Sequence, residues 1–215
     1  MPAAPIRLHL GCGENYLAGY VNVDYPPREH AVQTTSPADV CADITRLRYE
    51  PASVAEVRLH HVFEHFDRPT ALRVLIDWHE WLEPGGRLTI ETPDFEAAVR
   101  RFRRPWRRSQ RDVALRHVFG SHEAAWAVHA DGWYEGKFRE VLGALGFQVG
   151  KVRRATWRGT DNITVEARKP EAAPLTRDEL IERATGILSG SLVDSSSTEL
   201  RLLQVWVDSL SGARE

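Results

Sequence analysis

The stretch LHLGCGENYLAGYVNVD, Leu8 to Asp24, contains a short β-like run, a Gly-x-Gly turn and a second β-like run that ends in a carboxylate. Glycines directly after a strand allow a tight turn and let a ligand approach the backbone closely. An acid at the end of the next strand can accept hydrogen bonds from both hydroxyl groups of a ribose. The stretch therefore predicts an α/β sheet whose first two strands end at a nucleoside site.

Five further β-like runs follow, at 39–43, 54–61, 87–92, 147–155 and 162–167. Two helices lie among them: one begins near Asp67 and Pro69 and ends at the Pro84-Gly85-Gly86 stretch, and the other covers 137–145. Alternating strands and helices predict a parallel sheet covered on both sides. The last two runs are joined by a short turn and must pair antiparallel. The expected fold is α/β: a doubly wound, Rossmann-like, mostly parallel seven-stranded sheet with an antiparallel terminal hairpin.

The composition changes after Pro170, which divides the chain into a domain at 1–170 and a helical C-terminal extension at 171–215. Thr176 and Glu179 form a capping-box pattern that predicts a helix through Leu188. A second apolar stripe follows at 3-4-3 spacing and consists of Leu200, Leu203, Val207 and Leu210. This stripe either covers the helices of the main domain or forms a homodimer through the C-terminal helices.

Composition and charge exclude several classes of protein. The formal net charge of -2 gives no overall attraction to nucleic acid, so a nucleic-acid partner is not expected. Cys12 and Cys41 belong to no CxxC pair, which excludes a zinc finger and a thioredoxin-type site. The first residues lack a signal-peptide pattern, and no apolar run is long enough for a membrane span. We therefore expect a cytoplasmic protein.

The chain resembles the class I S-adenosylmethionine-dependent methyltransferases, in particular small bacterial members. The resemblance is carried over roughly residues 6–95 by LHLGCGENYLAGYVNVDY, CADIT, RLHHVFEHF and WHEWLEPGGRLTIETPDF. It implies S-adenosylmethionine as cofactor and S-adenosylhomocysteine as product. One departure is that the segment Glu14–Gly19 is too short for the helix that usually follows the glycine loop.

The resemblance also implies a role for each matching position. Methionine-binding residues would be Gly11, Cys12 and Gly13, and the ribose ligand would be Asp24. Asp43 and Ile44 would contact adenine, and His60 and His61 would border the methyl group. The residues themselves agree in part, because the glycine loop, Asp24 and Asp43 all come at the carboxyl ends of predicted parallel strands.

His61-Val62-Phe63-Glu64-His65 matches the H-x-x-E-H signature of some zinc proteases, which makes a zinc-dependent hydrolase an alternative. Such a site needs both imidazoles one turn apart on a continuous helix. Here His60 and His61 close a predicted strand, and the helix begins only at Asp67. We therefore expect no metal ion. A non-catalytic S-adenosylmethionine-binding subunit is a second alternative.

Methyl transfer to oxygen benefits from a base near neutral pH, for which histidine is suited. The candidate catalytic residues are His129, in a loop before the last long helix of the main domain, and His65, after the fourth strand. Since no DPPY-like tetrapeptide follows that strand, oxygen is favoured over a nucleobase amino group as the site of methylation.

An insertion at 95–130 is predicted to bind the acceptor. Its arginines are interleaved with aromatic residues and include Arg100, Arg101, Arg103, Arg104, Arg107, Arg108, Arg111 and Arg116. Guanidinium groups form bidentate contacts with phosphates and carboxylates, so an anionic small molecule or glycan is the expected acceptor. The alternatives are a solvated basic helix, a contact with the acidic tail of the same or a neighbouring subunit, and single-stranded nucleic acid, which the overall charge disfavours.

Overall fold

The computed structural model describes residues 5–104, 108–157, 159–172 and 175–211. Seven strands form one sheet: β1 (Ile6–Leu10), β2 (Val21–Asp24), β3 (Val40–Cys41), β4 (Val54–His60), β5 (Leu82–Pro93), β6 (Gln148–Trp157) and β7 (Thr160–Arg168). Their order is β3-β2-β1-β4-β5-β7-β6. Strand β7 pairs antiparallel with both β5 and β6, while the pairs among β1 to β5 are parallel. The Rossmann-like sheet and the antiparallel hairpin are confirmed.

Within the described ranges, six α-helices accompany the sheet: α1 (Arg68–Trp81), α2 (Phe95–Arg103), α3 (Arg108–Phe119), α4 (Glu135–Ala144), α5 (Arg177–Ser189) and α6 (Ser197–Ser211). Helices α1, α4, α5 and α6 pack against one another and share one apolar core with the sheet. The connections from β1 to β4 contain loops and 3-10 turns in place of α-helices. The sheet therefore has doubly wound strand order, with its long helices concentrated after β4.

Alternation along the central strands explains which side chains form this core. Leu8 and Leu10 of β1 are fully buried, as are Leu88 and Ile90 of β5. The intervening residues of these strands are polar and point to the opposite face. Among them, His9 Nδ1 donates to Asn22 Oδ1 at 3.0 Å, which pairs these two buried groups.

The boundaries around α1 differ from the prediction at one end. As predicted, α1 starts after Asp67, whose carboxylate accepts the Thr70 N–H at 2.9 Å. The helix ends at Trp81, and the next strand begins at once with Leu82, although it was predicted only for 87–92. The reason is tertiary: Gly85 and Gly86 exchange backbone hydrogen bonds with Lys169, so the Pro-Gly-Gly stretch joins the sheet.

The C-terminal helices are integrated into the same core. Helix α5 begins with the predicted capping box, in which Thr176 and Glu179 bond reciprocally. Helix α6 packs on α1 and α5, with Leu210 fully buried, while Leu200 and Val205 remain exposed. The predicted stripe thus covers helices of its own chain over part of its length. Within the described residues, no helix combines the length and apolar character of a membrane span.

Candidate functional site

A cavity of about 290 Å³ lies at the carboxyl ends of β1, β2, β3 and β4, and we call it the rim cavity. The predicted residues Gly11, Asp24, Ile44, His61 and His65 line it. The remaining lining residues are Tyr25, His30, Ala42, Thr45, Val62, Phe66, Ala125, Trp126, Val128 and Ala130. The first four strands end side by side, so distant parts of the sequence converge here.

The glycine loop and Asp24 are fastened to each other. One carboxylate oxygen of Asp24 accepts the Gly13 N–H at 2.6 Å, and the other accepts the Tyr25 N–H at 2.7 Å. Gly11 has φ +67°, and a Cβ atom there would collide with Val62, so a larger residue does not fit. Asp24 is 6% exposed, which leaves its carboxylate at the wall of the cavity instead of in bulk solvent.

Three predicted residues lie next to the cavity without lining it. Cys12 is buried, and burial raises the pKa of its thiol to about 11. Gly13 contributes its N–H to Asp24. Asp43 caps the 3-10 turn at Ile44–Arg46 and accepts the Thr45 N–H at 2.9 Å, so it positions residues that do line the cavity.

His60 is placed differently from its neighbour His61. The His60 ring accepts the Arg58 Nε–H at 2.9 Å and lies 3.8 Å from Glu91, on the polar face of the sheet and outside the cavity lining. His61 has φ +54° and turns its side chain to the cavity. Successive residues of a strand point to opposite faces, and strand β4 ends at His60. The side chains of His60 and His61 therefore lie on different sides of the chain.

An aromatic group closes the rim cavity from outside. The Trp126 Nε1–H donates to the Glu29 carbonyl at 2.7 Å, and its ring lies edge-on to His30 at 5.1 Å between centroids. Tyr25 and His65 also contact the Trp126 ring. Sequence reasoning missed Trp126 as a cavity residue, since nothing in its local pattern indicates contact with a segment far earlier in the chain.

Glu64 is the centre of a second feature, the histidine–glutamate cluster, which comprises Glu64, His61, His65 and His129. The Glu64 side chain is 3% exposed. His61 Nδ1 lies 3.4 Å from its Oε1, and His129 Nε2 lies 4.0 Å from the same atom. The His65 and His129 rings meet edge-on, with centroids 4.9 Å apart. The fold thus brings both predicted catalytic histidines to one carboxylate.

Burial and charge act in opposite directions in this cluster. Burial raises the pKa of Glu64. The hydrogen bond and charge of His61 lower that pKa, as do the charges of His65 and His129. Their combined effect is larger than that of burial, so the net shift is downward. Burial lowers the pKa of His61, while Glu64 and Glu91 raise it, and the net shift is upward. For His129, burial dominates and the pKa is lowered. Glu64 is therefore ionised at neutral pH.

A larger cavity of about 540 Å³, the arginine cavity, lies beyond the ends of β5 and β7. It is lined by Asp94, Ala97, Arg100, Arg101, Arg104, Gln110, Arg154, Ala155, Thr156, Asp161 and Asn162. Arg101 donates to Asp161 at 2.6 Å, and Arg154 donates to Asp94 at 3.1 Å. Asn162 Oδ1 is buried without a hydrogen-bond partner among the described residues. Of the arginines predicted to bind the acceptor, Arg107 lies outside the described residues, as does Trp106.

The two cavities lie along one edge of the sheet. Strands β4 and β5 are parallel neighbours, so His61 after β4 and Asp94 after β5 end at the same rim. His117 of α3 connects the regions, because its Nε2 lies 3.0 Å from Thr160 Oγ1 and its carbonyl accepts from His129 Nδ1 at 2.9 Å. His117 therefore links the start of β7, beside the arginine cavity, to His129 of the histidine–glutamate cluster.

Comparisons with known proteins agree with this arrangement. Residues 8–90 match the family model described as a methyltransferase domain. A search of curated proteins gives no match. Among solved structures, the protein bound to the Trm112 methyltransferase activator of Haloferax volcanii is similar with a TM-score of 0.54 and 15% identity, over 80% of this chain and 86% of that one. An S-adenosylmethionine-dependent methyltransferase from Mesorhizobium loti is similar with a TM-score of 0.52 and 16% identity, over 78% and 93% of the two chains.

Residues 8–90 thus match a methyltransferase domain, and the fold of the chain is the one found in the solved S-adenosylmethionine-dependent methyltransferase of Mesorhizobium loti. The domain match indicates a methyltransferase enzyme, with S-adenosylmethionine as its cofactor. The resemblance found in the sequence is confirmed. No comparison supports the zinc-dependent hydrolase, and the fold does not place His61 and His65 on one helix, because His65 ends a 3-10 turn before α1 begins.

Proposed function

We propose that the enzyme methylates an oxygen atom of a small anionic or saccharide acceptor, with the cofactor in the rim cavity and the acceptor in the arginine cavity. The observation that carries this proposal is the position of both cavities on one rim, at the ends of adjacent parallel strands. Two members of the histidine–glutamate cluster, His61 and His65, line the rim cavity.

The rim cavity fits the cofactor chemically. Asp24 offers carboxylate lone pairs to ribose hydroxyl groups, since only one backbone N–H occupies each oxygen. His30 Nε2 is buried without a hydrogen-bond partner among the described residues and faces the same cavity. Ile44, Phe66 and Trp126 supply apolar and aromatic surface for adenine. The glycine loop, Gly11 to Gly13, would lie under the methionine part, and His61 would border the methyl group.

The cofactor, once bound, supplies a methyl group on a positively charged sulfur that is already activated for displacement. The protein then has to hold the acceptor oxygen in line with that methyl group and exclude competing water. His65 and His129 are within reach of an oxygen that enters between the two cavities, and Trp126 closes the outer side. These residues would position the acceptor oxygen and receive its polar contacts.

The arginine cavity supports an anionic acceptor. Arg101 and Arg154 are paired with carboxylates, whereas Arg104 has no ion-pair partner among the described residues, and the partner of Arg100 is an exposed Glu96 at 3.5 Å. Arg104 can thus bind a phosphate or carboxylate of the acceptor, and Arg100 can exchange its exposed partner for the same group. Asn162 Oδ1 would accept a hydroxyl or amide hydrogen from the same molecule.

Release of S-adenosylhomocysteine in a screen of sugar nucleotides, glycans and phenolic metabolites tests the proposal. The sharpest comparison uses matched acceptors with and without a phosphate or carboxylate group. Turnover should favour the anionic member of each pair. Equal turnover of both members would contradict the anionic acceptor, and cofactor binding without any turnover would favour a non-catalytic subunit.

Replacing Arg104 should affect acceptor recognition and leave the cofactor site intact. For Arg104→Gln we expect the KM of an anionic acceptor to rise about 10-fold, the size of one lost charge-assisted hydrogen bond. The dissociation constant of S-adenosylhomocysteine should not change. Arg111→Gln is the matched control, because Arg111 is exposed on α3 and does not line the cavity. An unchanged KM in Arg104→Gln would remove this residue from the acceptor site.

A homodimer through the C-terminal helices is a separate proposal. It rests on Leu200, Leu202 and Val205, which are exposed on α6. Light scattering of the full-length chain tests it, together with a Val205→Asp variant. A monomeric mass for the unmodified protein would contradict the dimer.

A further inference from the structure

We propose that Glu64, His65 and His129 form a binding site for one divalent transition-metal ion, of the type that prefers two imidazoles and one carboxylate. This inference departs from the sequence analysis, which expects no metal ion and offers His61 and His65 as the ligand pair of the alternative. The fold brings a different set together, with His129 in place of His61. One ligand atom from each of the three residues lies within 4.8 Å of the others.

The charge of Glu64 is incompletely compensated. Both carboxylate oxygens are buried. The nearest nitrogen, His61 Nδ1, is 3.4 Å from Oε1, which is longer than a good charge-assisted hydrogen bond, and Oε2 has no hydrogen-bond partner among the described residues. A buried, ionised carboxylate loses hydration that one long contact replaces only in part. A cation held against these oxygens would reduce that penalty.

Backbone carbonyls fix the orientation of the His65 and His129 imidazoles. His65 Nδ1 lies 3.0 Å from the Val128 carbonyl, and His129 Nδ1 lies 2.9 Å from the His117 carbonyl. A carbonyl oxygen only accepts, so each Nδ1 carries the hydrogen. In the neutral rings, Nε2 then presents a lone pair. Backbone carbonyls that fix the tautomer in this way are the usual outer contacts of metal-binding histidines.

The lone pairs of the imidazoles converge on the Glu64 carboxylate. His129 Nε2 lies 4.0 Å from Glu64 Oε1. A lone pair that faces a carboxylate is repelled unless a positive charge lies between them. With an ion about 2.1 Å from each donor atom, a tetrahedral site keeps its donors about 3.4 Å apart, so this pair would approach by roughly 0.6 Å when the ion binds. Two imidazoles and one carboxylate suit zinc or ferrous iron, and leave further coordination positions open.

The open coordination positions give the ion a role in binding the acceptor. Only this role rests on the proposed function; the metal site itself does not. His65 also lines the rim cavity, so an ion at this cluster would be reached from that cavity. An acceptor oxygen could then bind the ion directly, which fixes its position next to the cofactor. The acceptor would belong to the class of molecules with a hydroxyl group and a neighbouring anionic group, which together reach the ion and the arginine cavity.

Isothermal titration of tag-free, chelator-treated protein with zinc chloride tests the site without cofactor or acceptor. We expect one equivalent to bind, with Glu64→Gln and His129→Gln each weakening the affinity about 100-fold or more, as loss of a ligand exceeds the effect of losing an outer contact. His122→Gln is the matched control, because His122 is exposed and belongs to no such cluster. Its affinity should equal that of the unmodified protein.

Cobalt chloride provides an independent measurement on the unmodified protein. Coordination by nitrogen and oxygen ligands should give visible absorption bands that zinc then displaces, whether or not any variant folds. Less than one equivalent of zinc, or equal zinc affinity in Glu64→Gln, would overturn the site. S-adenosylhomocysteine binding is measured on the same samples. Absence of this binding would overturn the proposed function and leave the zinc result standing. A failed zinc titration would overturn the metal site and leave the proposed function standing.

Discussion

Replacement of Asp24 by alanine should weaken the binding of S-adenosylhomocysteine about 10- to 100-fold, which corresponds to about 1–3 kcal/mol for a lost buried hydrogen-bonding partner. The variant loses the carboxylate proposed to bind the ribose. It also releases the Gly13 and Tyr25 amides, which Asp24 accepts at 2.6 and 2.7 Å. The glycine loop therefore loses its fastening and its ligand contact together. Calorimetric titration with S-adenosylhomocysteine measures the effect.

Two further variants separate these contributions. Asp24→Asn keeps one carbonyl oxygen but presents an NH2 group to one of the two amides, so it should lie between the alanine variant and the unmodified protein. Asp178→Ala is the control, because Asp178 is exposed in the first turn of α5. If the alanine variant bound with unchanged affinity while its fold was intact, Asp24 would have no place in the cofactor site.

The fold could be predicted well where the chain itself carries the signal. The capping box of α5 joins Thr176 and Glu179, three positions apart, and the contact between the glycine loop and Asp24 joins positions 11 residues apart. Both patterns lie within short stretches of the sequence. The boundary between α1 and β5 depends instead on Lys169, which bonds to Gly85 and Gly86 from the end of β7. The long helices are concentrated after β4 because the connections between β1 and β4 are short. How these helices share one core depends on contacts between distant parts of the chain.

The candidate site divides in the same way. Gly11 and Asp24 could be predicted because parallel strands end at a common edge, and Ile44 was predicted from the family resemblance; all three line the rim cavity. The histidine–glutamate cluster could not, because the His65 ring is fixed by Val128, 63 residues further along the chain. A signature such as H-x-x-E-H reads only neighbouring positions. It therefore suggests His61 as the partner of His65, whereas the fold supplies His129.

The stability of the folded chain should fall in mild acid because of His79. This side chain is 1% exposed on α1, where its ring meets the edge of Phe147. Burial and, to a smaller extent, the charge of Lys169 lower the pKa of His79 to about 4. In the unfolded chain the same imidazole titrates with a pKa of about 6.5. The native state thus keeps His79 neutral over a range in which the unfolded chain binds a proton.

The sign follows from this difference in proton uptake. Stability from a neutral, buried His79 is fully present above the unfolded pKa and is lost as the pH falls from about 6.5 to about 4, a change of about 3 kcal/mol. His79→Gln has no such group, so its free energy of unfolding should be lower at pH 7 but should fall less steeply. Urea denaturation at pH 7, 6, 5 and 4.5 measures the difference between the two proteins, in which the titration of all other groups cancels. That difference should shrink steadily as the pH falls, whereas His122→Gln, at an exposed site, should stay parallel to the unmodified protein. Parallel curves for His79→Gln would show that His79 takes up its proton equally in both states, and the acid sensitivity would then have to come from the carboxylates.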